Sequence, residues 1–174
     1  VPVQAGVALV AVGGYGRREL CPGSDLDLML LHSERDDAAE LADRLWYPIW
    51  DLGLKVGHSV RTISECLSGV RTDNDTATSM LSARLVAGDA ALVHELSTAV
   101  GELWRSDRGL LAELGRSVER RRKQSGEVAF LLEPDLKDGR GGLRDAHALG
   151  WSEATGVALA PGDREWLNDA YDVL

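Results

Sequence analysis

Val7-Ala8-Leu9-Val10-Ala11-Val12-Gly13-Gly14-Tyr15-Gly16-Arg17-Arg18-Glu19-Leu20, with Ser24-Asp25-Leu26-Asp27-Leu28 just downstream, is the stretch whose reading decides the fold. The apolar run Val7 to Val12 reads as a buried strand. Two glycines directly after a strand let the chain turn sharply and leave backbone N–H groups unobstructed, an arrangement suited to phosphate oxygens. A second strand then carries the acids. Side chains at i and i+2 of a strand share a face, so Asp25 and Asp27 are expected to project together while Leu26, Leu28 and Leu30 take the opposite, buried face.

Two neighbouring carboxylates repel each other unless a cation lies between them. Oxygen donors suit Mg²⁺, which takes one or two carboxylates, keeps several waters and completes its shell with substrate phosphates. Asp25 and Asp27 are therefore the candidate catalytic and metal-binding residues, with a nucleoside triphosphate as the companion ligand. The net charge of −9 and pI near 4.9 argue against nonspecific nucleic-acid binding, which needs a basic footprint. A triphosphate must then meet local positive charge, and Arg17 and Arg18 are nearest in sequence.

A glycine turn, a spacer of about ten residues and an Asp-x-Asp strand resemble the nucleotidyltransferase superfamily that shares the DNA polymerase beta catalytic fold. The wording is narrower still. Gly13 to Leu20, Pro22 and Ser24 to Leu28 are similar to the family of bifunctional uridylyltransferase/uridylyl-removing enzymes that modify the PII nitrogen-signalling protein. So are Trp50 to Arg61, Ala83 to Asp89, Leu132 to Lys137 and Gly141-Gly142-Leu143-Arg144-Asp145. The resemblance implies an α+β fold, a nucleotidyltransferase core on a small mixed β-sheet followed by a helical lobe. It also implies nucleotide contacts at Gly13, Gly14, Arg17 and Ser24, although Ser24 equally suits a plain turn. The donor it implies is UTP, with ATP open, and the acceptor is a tyrosine hydroxyl of PII. Where relatives in the superfamily carry a third carboxylate, Leu52 to Ser64 contains no acid, and Ser82 stands where this family usually has Glu. Asp73 and Asp75 are the loosely held substitutes.

At 174 residues and 44% hydrophobic content, the length suits one unit, divided here into a catalytic core at 1–70 and a helical subdomain at 71–174. The resembling family is much longer and continues into a phosphohydrolase built on adjacent His and Asp, a pair that does not occur here. The expectation is an excised or naturally short transferase portion, trimmed upstream, that does not remove the group it adds. Cys21 and Cys66 have no ligand spacing, and no stretch has the length of a membrane span or the layout of a signal peptide, so a cytoplasmic protein is expected.

Asp36 or Asp37 is expected to cap a helix running to about Asp51, kinked or ended near Trp46 by Pro48. Leu54 to Arg61 alternates as a strand that puts His58 on its apolar face. Thr62-Ile63-Ser64-Glu65 has capping-box spacing for a short helix ended by Gly69. Asp75 to Ala87, Asp89 to Trp104 and Ser106 to about Gln124 read as three successive helices. The tryptophans read as core residues, and Arg120-Arg121-Arg122-Lys123 as a solvated face. Lys137, Arg140 and Arg144 form a second positive loop, which either closes over a nucleotide or is a helix entry whose Asp145 pairs with one of its own arginines. Two other functions fit the same acids, a small-molecule nucleotidyltransferase and a catalytically silent nucleotide-binding module.

Overall fold

The computed structural model describes residues 5–21, 23–125, 132, 133 and 135–173. Pro22, Pro134 and most of the apolar run from Glu127 to Leu132 lie outside the described residues. The chain divides into two compact units, Val1–Glu102 and Leu103–Leu174.

The first unit is built on a four-stranded mixed sheet in the order β3-β2-β1-β4. Strand β1 (Val7–Ala11) leads into the one-turn helix α1 (Gly13–Arg17), and β2 (Leu26–His32) returns antiparallel to β1. Helix α2 (Ala38–Trp50) crosses over to β3 (Val56–Arg61), which lies parallel to β2. Helices α3 (Ile63–Thr72) and α4 (Asn74–Met80) precede β4 (Arg84–Gly88), which pairs antiparallel with β1.

Both faces of β2 are covered. Leu28 and Leu30 pack with Ala42 and Trp46 of α2, joined by the half-buried Leu9, Leu41, Leu45, Ile49 and Val56. Met29 and Leu31 face the other way and are fully buried, with Met29 Sδ 3.5 Å from Cys66 Sγ of α3. Burial pushes the Cys66 thiol up to about 11. The expectation that Leu26, Leu28 and Leu30 form the buried face thus covers half of the burial, because the face that carries Asp27 is also filled from Met29 onward.

Several local expectations change. The stretch read as a helix from Asp75 to Ala87 stops at Met80, and Arg84–Gly88 is a strand. The helix read after Thr62 runs past Gly69 to Thr72, started by the full capping box between Thr62 and Glu65. Helix α2 runs to Trp50 with Asp51 as its C-cap, close to the expected end, and passes through Pro48 without ending near Trp46. Its N-cap Asp37 makes no capping bond, because its carboxylate is held by Arg35 at 2.7 Å. Trp46 and Trp104 are core residues as expected, whereas Trp50 and Trp166 are exposed. Strand β4 completes the sheet, and the first compact unit extends to Glu102.

Helix α5 (Ala90–Ser106) carries the chain out of the first unit. In the second unit, α6 (Arg108–Ser125), α7 (Leu143–Ala154) and α8 (Pro161–Val173) are the helical elements. The loop before α7 is wound on Asp135, whose Oδ1 accepts from the N–H groups of Lys137 and Asp138.

Candidate active site

The first glycine lies directly against the second acid. A Cβ placed on Gly13 would stand 3.0 Å from Asp27 Oδ2, and Gly13 has φ +56°, a left-handed backbone that disfavours any side chain. The Val12 N–H donates to the Asp27 carbonyl at 3.0 Å, which ties the end of β1 to the start of β2. On its other flank, Asp27 is paired across the sheet with Gly57 of β3. A Cβ on Gly57 would stand only 2.5 Å from Asp27 Oδ1. The Asp27 carboxylate therefore occupies a slot walled by two glycines from different elements.

Asp25 is exposed and precedes β2 by one residue, where the N–H of Leu26 donates to the Lys55 carbonyl at 2.9 Å. Strand alternation carried back through Leu26 puts Asp25 on the side of Asp27. Among the described residues, no group of three or more His, Cys, Asp and Glu side chains has the spacing to hold a metal ion. Asp73 serves another purpose. It caps α4, and the Thr76 hydroxyl and amide hold its carboxyl below the usual range. Asp75 is exposed in the first turn of α4.

Of the expected phosphate contacts, Gly14 lies in α1 and its carbonyl accepts from the Glu19 N–H at 2.9 Å. Arg17 Nε donates to Glu19 Oε2 at 2.7 Å, both side chains being about three-quarters buried. The Ser24 hydroxyl accepts from the Cys21 N–H at 3.1 Å, and the Ser24 N–H donates to the Cys21 carbonyl at 2.9 Å, so Ser24 closes the turn before β2. His58 sits edge-on to Trp50 at 5.0 Å and tilted to Trp46 at 5.5 Å.

Two residues at the site escaped sequence reasoning, and a third was read only for its missing carboxylate. Gly57 is one, and a glycine inside a strand is the signal for a close approach. Arg84 is the other, and Ser82, read only as standing where the family usually has Glu, contributes its backbone. A Cβ on Gly16 would fall 2.2 Å from the Ser82 carbonyl oxygen, so α1 rests on that backbone. The Arg84 guanidinium donates to the carbonyls of Tyr15 at 2.8 Å and Gly16 at 3.1 Å and lies over the Tyr15 ring.

The second positive loop, described within its own unit, is a helix entry. Asp145 accepts from Arg121, from Arg122 at 3.0 Å and from the Gly141 N–H at 3.0 Å. Its arginine partners come from α6, not from the loop, while Arg144 pairs with Asp138 at 3.0 Å. Arg121 and Asp145 are each only 13% exposed, which corrects the solvated-face reading for Arg121, while Arg120 and Lys123 are exposed as expected. Burial pushes the Asp145 carboxyl up, but the Gly141 N–H and the two guanidiniums outweigh it and hold the group below the usual range.

Comparison with known proteins adds the following. A family model described as GlnD PII-uridylyltransferase matches residues 109–157. A bifunctional uridylyltransferase/uridylyl-removing enzyme from Streptomyces coelicolor is 52% identical over 170 residues, 96% of this chain and 20% of that protein. One of the same description from Mycobacterium tuberculosis is 47% identical over 150 residues, 83% of this chain and 18% of that protein. The chain thus spans about a fifth of the length of these relatives. Among solved structures, a toxin–antitoxin crystal structure with AMP-PNP aligns at a TM-score of 0.39 and 15% identity, covering 67% of this chain and 87% of that one.

Proposed function

The chain belongs with the bifunctional uridylyltransferase/uridylyl-removing enzymes as a homologue of one segment of them, and we propose that this segment performs nucleotidyl transfer. A nucleoside monophosphate passes from a nucleoside triphosphate to a tyrosine hydroxyl of a PII-type regulatory protein. The tyrosine oxygen bonds to the α-phosphorus, the bond from that phosphorus to the bridging oxygen breaks, pyrophosphate leaves and the phenolic proton goes to water. The names of the relatives favour UTP as donor, with ATP the alternative.

The observation that carries this reading is the seating of the Asp27 carboxylate between Gly13 and Gly57. A carboxylate buried for packing alone needs no glycine on either side. Here both neighbours lack the side chain that would collide with its oxygens. As hard oxygen donors, Asp25 and Asp27 suit Mg²⁺ in their chemistry. When bound, Mg²⁺ supplies charge neutralisation for the phosphates and the leaving pyrophosphate. The chain's own part is placement. The Gly13-Gly14 turn lets the triphosphate tail approach the backbone, and the acids fix where its phosphates lie relative to β2. The reading sets the chain in the cytoplasm, and no helix among the described residues is long and apolar enough to cross a membrane.

The test is incubation with a PII-type protein, Mg²⁺ and α-labelled UTP or ATP in separate reactions. Label is expected on the acceptor with UTP, falling at least about a hundredfold in Asp25→Asn and in Asp27→Asn. Full transfer by both variants overturns the assignment of the acids. Nucleotide binding in calorimetry without pyrophosphate release favours the silent module, and label on an aminoglycoside in place of PII favours the small-molecule enzyme.

A further inference from the structure

Helix α1 has five residues, too few to hold its own shape in water, so its place depends on what grips each end. The front end is fixed to the acid strand by the bond from Val12 N–H to the Asp27 carbonyl. At the far end a helix runs short of intrahelical donors for its last carbonyls. The Arg18 N–H reaches the Tyr15 carbonyl at 3.3 Å, which leaves room on both the Tyr15 and Gly16 oxygens for a donor from outside the helix. Arg84, at the start of β4, supplies donors to two of these carbonyls, Tyr15 and Gly16, through two separate nitrogens. The contact is set by glycine, because any Cβ at Gly16 would strike the Ser82 and Ala11 carbonyl oxygens at 2.2 and 3.0 Å.

We propose that Arg84 is a positioning residue for nucleotidyl transfer: by gripping the last carbonyls of α1 it holds the Gly13 turn in register with Asp27. The inference rests on the transfer reading above. Its grip comes from β4, which adds to β1 on the side away from β2, so the turn is clamped from both of β1's neighbours. Lysine carries the same charge but cannot present two donors in a fixed fork, so Arg84→Lys is expected to release α1 while leaving the sheet intact.

Two readouts on the 174-residue chain test it. Amide hydrogen exchange follows the Gly16 N–H, which donates to the Val12 carbonyl at 2.9 Å. In Arg84→Lys this amide is expected to exchange at least about tenfold faster while the β1 and β2 amides keep their protection. In the transfer assay kcat is expected to fall about 10- to 100-fold with the triphosphate KM within about threefold of the parent. Added guanidinium ion is expected to restore part of the rate of Arg84→Ala and none of that of Asp27→Asn. Parental Gly16 exchange and parental kcat in Arg84→Lys overturn the proposal, as does an equal loss of protection at every amide of the sheet. If the unmodified chain transfers no label, the transfer reading fails separately, and Gly16 exchange alone then supports or overturns the hold of Arg84 on α1.

Discussion

Gly57→Ala adds one methyl group to an exposed position of β3, changes no charge, and is expected to disable the site. The new Cβ would sit 2.5 Å from Asp27 Oδ1, where ordinary contact begins near 3.4 Å, so the carboxylate oxygen must retreat by about 0.9 Å. It can do so by rotating the side chain, at about 0.5–1.5 kcal/mol for a 30° departure from a rotamer. Replacing glycine by alanine in a strand offsets much of that by reducing the freedom of the unfolded chain, by about 0.4–1 kcal/mol. The melting temperature is therefore expected to stay within about 4 °C of the parent. Rate behaves differently, because misplacement of a reacting group by about 1 Å costs about a hundredfold. The assay is the initial rate of α-label transfer to a PII-type acceptor, run beside thermal unfolding of the same samples. Gly150→Ala is the control, since a Cβ there meets nothing within 4 Å. A Gly57→Ala protein that keeps both its melting temperature and its transfer rate would refute the view that the Asp27 carboxylate must occupy this slot.

In the second unit, Asp145→Asn leaves Arg121 nearly buried without its anion, and a loss of about 2–4 kcal/mol in urea unfolding at pH 7 is expected. Because the folded Asp145 carboxyl is held below the ordinary range, its contribution is complete above an unfolded pKa of about 3.9 and is lost as pH falls through the lower folded value. The stability gap between parent and Asp145→Asn should thus be constant from about pH 6 to 8 and close below about pH 4. Thr62→Ala removes the hydroxyl half of the capping box that starts α3, and chemical denaturation should register about 1 kcal/mol.

The first strand, the glycine turn and the strand after it were legible because their signals are local. Val7 to Val12 ends at glycine, the acids alternate with leucine, and the capping box is written in four consecutive residues. What was not legible depends on partners distant in sequence. Leu85 and Val86 follow Met80 and Leu81 at a spacing that suits a helix face, and only pairing with β1 makes Arg84–Gly88 a strand. The visible trace of that pairing is Gly88, which has φ +101° and whose Cβ would strike the Val7 carbonyl oxygen at 2.4 Å. Pro48 misled in the opposite direction. It removes one helical hydrogen bond, but α2 buries Trp46 against Leu28 and Leu30, and burial of a side chain that large outweighs the bond. Arg17 shows that a basic residue beside a glycine turn can be engaged by a near neighbour, here Glu19 two positions on.

Ala8 lies opposite Gly88 in the finished sheet, and this has a consequence for how the protein is made. During vectorial synthesis the first strand emerges long before its outer neighbour exists, so one of its edges stays open until some eighty further residues have been polymerised. Contacts of such long sequence separation form late and slowly, and an unpaired apolar edge is a template for association with other chains. Ribosomal stalling short of Gly88 should accordingly release aggregating, protease-sensitive intermediates, whereas stalling a little beyond α5 should release a domain already closed.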